Sequence, residues 1–294
     1  MELLRRTKMA IRSLSDLNRA FDEGRWHLQR FQKNAGTAHA SVWADPTFAS
    51  GQPPYDARVG VPLEFTPCIA QKNDAIWFPA ISADHKRYLS SATMWASQNT
   101  YNGPISVQIF DLVGYYPLID GDSTDAQALD NTQSLPRYTD GVGLCAVMVN
   151  HIAPALQAGV TTITYTDSDN VQRNVTVDIP NNGQNLVVSG CRSTTGAQSA
   201  TFKLPLPGRG IKSIDAIQHA SAPGGLHCIY LIRPLATMLL GDNNLTAEKE
   251  FYLTNGCRMP EIPDGAWLGW FDMIALNGTA RTVSWFGNFT FVWG

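Results

Sequence analysis

One phrase occurs twice in this chain. Residues 135–144 read LPRYTDGVGL and residues 259–268 read MPEIPDGAWL, so both have the form [Leu/Met]-Pro-x-x-x-Asp-Gly-x-x-Leu. The second Asp-Gly follows the first by 124 residues, and other landmarks keep the same order around it. Phe78-Pro79 matches Leu204-Pro205, and KRYLSSATMWAS before NGPISVQIFD matches KSIDAIQHAS before PGGLHCIYLI. The YPL ending at Leu118 answers the RPL ending at Leu235, and ALQAGVTTITY is echoed by ALNGTARTVSW, at offsets between 117 and 126 residues. Each landmark alone is ordinary turn chemistry, but five in order indicate an internal duplication. The sequence predicts two tandem, similar β domains, 61–183 and 184–294, behind an N-terminal segment 1–60.

The repeated phrase also has a local role. Proline withholds a ladder donor, Asp-Gly makes a turn, and the apolar run behind it enters the core as a strand. Asp140 and Asp264 are therefore expected to form turns rather than to catalyse. Beyond Gly60 the chain is a series of short β-type runs divided by turn residues. TTITYTDSDNVQRNVTVDI is a hairpin, with strands 161–166 and 174–179 around a polar tip. GPISVQIFDLVGYYPL and GGLHCIYLIRPL are continuously apolar, as strands buried on both faces are. TVSWFGNFTFVWG is expected to close the chain as an aromatic strand pair. The fold expected is all-β: two tandem, internally duplicated sandwich or jelly-roll-like domains with an N-terminal helical arm. A barrel would show the same strand spacing.

The arm is expected to be helical over residues 13–33. Ser13 with Asp16 resembles a capping box, and Leu14, Leu17, Phe21, Leu28 and Phe31 recur at near-helical spacing, with Gly24 weakening the run. Residues 34–60 are rich in Pro, Gly, Ala and Ser with isolated aromatics, which fits a linker or an extended arm laid over another surface. Leu14, Leu17, Phe21 and Trp26 of the arm, and Trp43, Phe48 and Tyr55 of the linker, lie outside any expected core. They are the candidate contact residues.

Charge and motifs exclude several functions. A net charge of −3 offers no general attraction for nucleic acid or an anionic membrane. The most apolar segment, LHCIYLIRPLATMLL, is interrupted by Arg233 and Pro234 and is too short for a membrane span. MELLRRTKMAIRSLSDLNRA contains no apolar stretch of signal-peptide length, so no secretory signal is expected, and Met9 is an alternative start. The cysteines, Cys68, Cys145, Cys191, Cys228 and Cys257, include no C-x-x-C and are expected as buried small apolar residues in a reducing compartment. No phosphate-binding loop, nucleophile elbow, zinc-protease helix or dinucleotide fingerprint is present, and no cofactor or metal is expected.

Weaker candidates remain beside their plainer readings. His219 and His227 flank the turn ASAPGGL and invite a zinc reading, without the further ligands a site needs. Asp167 and Asp169 start a calcium-loop pattern but sit at a hairpin tip, and Asp120, Asp122 and Asp125 read as a solvated loop. Trp267, Trp270 and Trp285 are a candidate glycan platform, against the commoner role of strand aromatics in cores and interfaces. Asn174, Asn244, Asn277 and Asn288 begin glycosylation-type triplets that are expected to be strand composition.

The stretch GRGIKSIDAIQHASAPGGLHCIYLIRPLATMLL, with EKEFYLTNGCRMPEIPDGAWLGWFDM after it, resembles structural proteins of tailed-bacteriophage virions over residues 208–273. The resemblance lies in a Gly-x-Ile-x-Ser-Ile strand, a Gly-rich turn, an apolar strand ending in Pro-Leu, and a Pro-x-Ile-x-Asp-Gly-Ala-x-Leu phrase. It implies a non-enzymatic particle component assembled in the host bacterial cytoplasm, partnered by the major capsid protein or other virion proteins, and homo-oligomeric. A head decoration or cement protein, a minor capsid protein and a neck or tail protein all fit. A receptor or carbohydrate binder at the tail and a polysaccharide hydrolase are the rival classes.

Overall fold

Ser13 caps the first helix as its spacing suggests. Its Oγ accepts from the Asp16 backbone N–H at 3.1 Å, and its hydroxyl donates to the Asp16 carboxylate at 2.9 Å. The computed structural model describes residues 10–38, 43–54, 58–72, 75–97, 104–152, 159–179, 209–241, 246–254, 258–274 and 281–294. In it the helix, α1, covers only Leu14–Asp22. Gly24 then adopts φ +70°, the Gly24 N–H reaches the Phe21 carbonyl, and the Arg25 N–H reaches that of Ala20, which closes the helix. The remainder of the expected helix is a strand, β1 (Trp26–Ala38). From Arg25 to Asn34 the odd residues turn inward and the even residues outward, the two-residue period of a strand.

The other strands are β2 (Gly51–Gln52), β3 (Thr66–Pro67), β4 (Arg87–Ser97), β5 (Ile105–Asp120), β6 (Gln127–Ala128), β7 (Cys145–Ile152), β8 (Gly159–Asp167), β9 (Gln172–Ile179), β10 (Ile211–His219), β11 (Leu226–Leu240), β12 (Thr246–Glu250), β13 (Trp267–Ile274) and β14 (Arg281–Trp293). A short helix, α2 (Phe251–Thr254), follows β12. The fold is all-β, with antiparallel sheets ordered β12-β4-β14-β1-β2, β6-β10-β8-β9 and β13-β5-β11-β7. The expected hairpin is β8–β9, with Thr164 opposite Asn174. The two continuously apolar runs are β5 and β11, which lie side by side in the middle of the third sheet. The aromatic C-terminal segment is one long strand between β4 and β1, not a pair folded on itself.

The two halves are not tandem bodies. Among the described residues, eight of the eleven strand ladders join a strand before residue 184 to one after it. Among the described residues, no strand of 184–294 pairs with another strand of 184–294. The pairing scheme is nonetheless self-consistent under duplication. Exchanging the halves turns β5·β13 into β11·β7, β4·β14 into β10·β8, and β12·β4 into β6·β10. The halves repeat each other by lending strands to each other.

The core follows from this exchange. The first part of β5 (Ile105, Val107, Ile109) and the end of β11 (Met238, Leu240) pack with β4, β14 and Phe31 of β1. The second part of β5 (Val113, Tyr116, Ile119) and the start of β11 (Ile229, Leu231) pack with β8 and β10. The intervening side chains, including Phe110, Leu112, Cys228 and Tyr230, form a third cluster with Trp43, Cys68 and Cys145. Cys68, Cys145 and Cys228 are buried, while Cys191 and Cys257 lie outside the described residues.

The repeated phrase is where each half docks on the other. Gly141 and Gly265 take φ +73° and +72°, the left-handed turn required before β7 and β13. Behind the first turn, Arg233 of β11 donates to the Val142 carbonyl at 2.5 Å; behind the second, Asp111 of β5 accepts the Trp267 N–H at 2.9 Å. The two glycines differ in surroundings. A Cβ at Gly141 would stand 2.6 Å from the Ile211 carbonyl oxygen, whereas one at Gly265 would meet only the Ile69 side chain at 3.1 Å. Gly265→Ala is expected to lose about 1 kcal/mol to backbone strain, and Gly141→Ala measurably more because backbone must move. Urea unfolding of the two variants checks the order.

Candidate contact surface

β4 and β14 direct alternate residues to opposite sides of their sheet. Ala92, Met94 and Ala96 of β4 and Trp285 and Phe289 of β14 enter the core, so Ser91, Thr93, Trp95, Phe286, Asn288 and Thr290 lie on the outer side. β1 adds Trp26, Leu28, Arg30 and Gln32 to that side. α1 covers one end of this face through Leu17 and Ala20, joined by Ile11 just before the helix, and the three pack with Tyr88, Tyr252 and Val292. Toward the other end, Trp95 and Phe286 are cross-strand neighbours with ring centroids 4.7 Å apart.

The outward side of α1 and the start of β1 leave a group of apolar side chains in solvent. Leu14 is 51% exposed, Phe21 37% and Trp26 45%, and the Phe21 and Trp26 rings lie 6.1 Å apart. Three of the seven candidate contact residues are therefore available at this surface. Leu17 is not, because it anchors α1 to the sheet. Trp43 is not, because it is buried in the third cluster. The backbone of Phe48 ends a 3-10 turn, Pro46–Phe48; its side chain, and Tyr55 as a whole, lie outside the described residues. Trp95 and Phe286 are additions that position in the sequence did not single out.

The expected linker is laid across its own chain. Ala44 and Asp272 exchange backbone hydrogen bonds at 2.8 and 3.0 Å, attaching the segment to β13. Lys33, buried on β1, donates from Nζ to the carbonyls of Thr47, Ala49 and Pro54 at 2.9, 3.1 and 3.1 Å, which satisfies all three ammonium donors. Asp45 accepts from the Thr47 N–H at 2.9 Å and from the Tyr230 hydroxyl at 3.0 Å. Arg58 is fully buried over the Trp267 ring, 4.1 Å from its centroid, and donates to the Thr47 hydroxyl at 2.8 Å. Burial pushes the Asp272 carboxyl up to about 8, opposed by the Trp285 indole N–H at 2.9 Å. A raised carboxyl is a familiar mark of a catalytic acid; this one is buried, its backbone bonded to Ala44 and its side chain to the Trp285 indole.

The tryptophans proposed for a glycan platform are interior. Trp267, Trp270 and Trp285 are all buried, Trp270 between Phe31 and Trp285, so no indole face is open to a sugar. Asp167 and Asp169 form a polar turn: the Asp167 carboxylate takes the N–H groups of Asp169 and Val171 and the Arg173 guanidinium, which hold it below the usual carboxylate range. Asp120 turns its loop by accepting the Asp122 N–H at 2.9 Å. Among the described residues no group of three or more His, Cys, Asp or Glu is placed to hold a metal ion, and no helix is long and apolar enough to cross a membrane.

No protein-family model matches the chain, and no curated protein aligns with it significantly. Solved structures that align include that of infectious bursal disease virus Gt strain, at 12% identity over 92% of this chain and 81% of that chain, with a TM-score of 0.18. T=1 particles derived from infectious bursal virus align at 12% identity over 92% and 78%, again with a TM-score of 0.18. The VP2 subviral particle of infectious bursal disease virus aligns at 11% over 92% and 81%, with a TM-score of 0.17. Scores this low do not establish a shared fold.

Proposed function

We propose that this chain is a non-enzymatic structural protein of a tailed-bacteriophage virion, of the capsid decoration, cement or minor capsid type. Its work is contact: it adds buried area between subunits and binds the assembled shell in preference to the free parts, which stabilises the shell by mass action. The observation that carries this reading is the exposed apolar group of Leu14 and Phe21 on α1 and Trp26 at the start of β1, with α1 fixed to the sheet by Leu17 and Ala20. Exposed aromatic anchors on a rigid element are what a specific interface uses at its centre. The sequence resemblance over residues 208–273 supplies the virion context and the partners: the major capsid protein or other virion proteins, and further copies of this chain.

A neck- or tail-associated, carbohydrate-binding role is the second reading. Its aromatic platform would be the adjacent Trp95 and Phe286, flanked by Thr93, Asn288 and Arg30, rather than the interior tryptophans.

Co-sedimentation with phage heads lacking the protein separates the two. The Phe21→Ser/Trp26→Ser double variant is expected to keep its β-sheet circular dichroism and to lose at least about tenfold in affinity for heads, since truncating an aromatic hot spot at the centre of an interface costs about 2 kcal/mol or more. Saturable head binding unchanged by the double variant would remove this surface from the interface. Binding only to host cell envelopes would favour the tail reading and direct attention to Trp95.

A further inference from the structure

His219 ends β10 and His227 is the second residue of β11, so the turn 220–225 carries the chain from one sheet into another. Both rings are buried, with centroids 5.5 Å apart. His219 Nδ1 lies 2.7 Å from the Thr161 hydroxyl of β8, and His227 Nδ1 lies 3.2 Å from Asn150 Oδ1 of β7. The Gly224 carbonyl approaches His227, but no well-aligned hydrogen bond reaches Nε2 of either ring. The turn is clamped to the end of β5 by two reciprocal bonds, Gly121 N–H to the Gly225 carbonyl at 3.0 Å and Gly224 N–H to the Gly121 carbonyl at 2.9 Å. The fit is close: a Cβ at Gly121 would stand 2.2 Å from the Gly224 oxygen and 2.8 Å from His227 Nε2.

We propose that this corner is an acid-operated latch, in which protonation of His219 and His227 releases turn 220–225 from Gly121 and frees the end of β10 from β8 while the remaining sheets stay folded. Two imidazolium ions at this separation repel each other and have lost their water, and opening the turn hydrates both at the expense of a few local bonds. The groups facing the pair are Asp120 from β5, whose carboxylate favours protonation of both rings, and the neutral Asn150 and Thr161 from β7 and β8. His151 follows Asn150 on β7 and turns to the opposite face. Burial lowers both histidines, His227 to about 4 with a further contribution from His219. The sign follows from those directions. The closed corner is fully stable above an ordinary histidine value of about 6.5 and loses stability as the pH falls from there toward the folded value.

Hydrogen exchange of the full-length chain tests this latch. Corrected for intrinsic rates, protection of peptides covering 219–227 and 120–125 is expected to drop ~100-fold between pH 7.5 and pH 4.5, while β4 and β14 stay protected. The His219→Gln/His227→Gln variant is expected to hold the corner closed at pH 4.5. If that variant does not fold, proton NMR of the unmodified chain is the readout, with both imidazoles titrating below the ordinary histidine value in step with the loss of protection. A corner still protected at pH 4.5, a loss of protection spread over all sheets at the same pH, or imidazoles titrating near 6.5 would each overturn the proposal.

Discussion

Leucine in place of Arg137 is expected to destabilise the protein by about 3–5 kcal/mol, the range for removing one partner of a buried ion pair. Arg137 belongs to the first copy of the repeated phrase, and its guanidinium grips both carboxylate oxygens of Asp111, Nε donating at 2.6 Å, while also donating to the carbonyls of Cys68 and Leu112. Asp111 is fully buried on β5, and the same carboxylate accepts the Trp267 N–H, just behind the second copy of the phrase. One ion pair thus ties both repeats to the strand between them. Without Arg137 the carboxylate keeps its burial and loses its counter-charge, and four acceptor oxygens, two of Asp111 and the carbonyls of Cys68 and Leu112, lose a donor. Two further results identify the cause. Burial already raises the Asp111 carboxyl, and losing the guanidinium raises it further. The folded variant then holds its proton to a higher pH than the unfolded chain does, so its deficit shrinks in acid and grows toward neutral pH. The Asp111→Leu/Arg137→Leu double variant is expected to lose less than the single one, because no buried charge is left unpaired. Urea unfolding at pH 5 and pH 8 measures all three.

The elements set by short-range patterns were legible. The β8–β9 hairpin alternates β-branched and polar residues around an Asp-rich tip, β5 and β11 are apolar on both faces, and the Asp-Gly turns need left-handed glycines. β1 was not legible because its pattern is inverted. Trp26 and Leu28 face solvent while Lys33 faces inward, and Lys33 is tolerated there only because three carbonyls from the segment 47–54 replace its water. Those carbonyls are distant in sequence, so no local rule identifies them. The spacing of Leu28 and Phe31 suits a helix equally well, and Gly24 is the residue that marks the change.

The contact surface divides in the same way. Leu14, Phe21 and Trp26 were identifiable as residues outside any core, and they are exposed. Leu17 shares their helix, but which face of α1 meets the sheet depends on Tyr88, Tyr252 and Val292. Trp43 sits in a stretch too poor in apolar residues to make a core of its own, and it joins one made by other strands. The duplication was visible as repeated words, yet the exchange of strands between halves was not. A strand's in-out pattern is the same whichever half supplies its neighbour, so two side-by-side domains and one interleaved body share a sequence signature.

The interleaving is the claim on which the rest depends, because it makes 1–183 and 184–294 incomplete when separate. Cut apart, 184–294 retains none of the strand ladders seen among the described residues, and 1–183 retains only β1·β2, β3·β5 and β8·β9. Open edges and half-covered apolar faces are then left in water, a state that cannot offset the conformational entropy of folding. The deciding measurement is to express the two fragments separately and together and to follow their thermal unfolding by circular dichroism. Neither fragment is expected to unfold cooperatively alone, and the mixture is expected to recover the intact protein's transition in a one-to-one complex. Two fragments that each unfold cooperatively by themselves, with no association on mixing, would contradict the interleaved fold and restore two tandem domains.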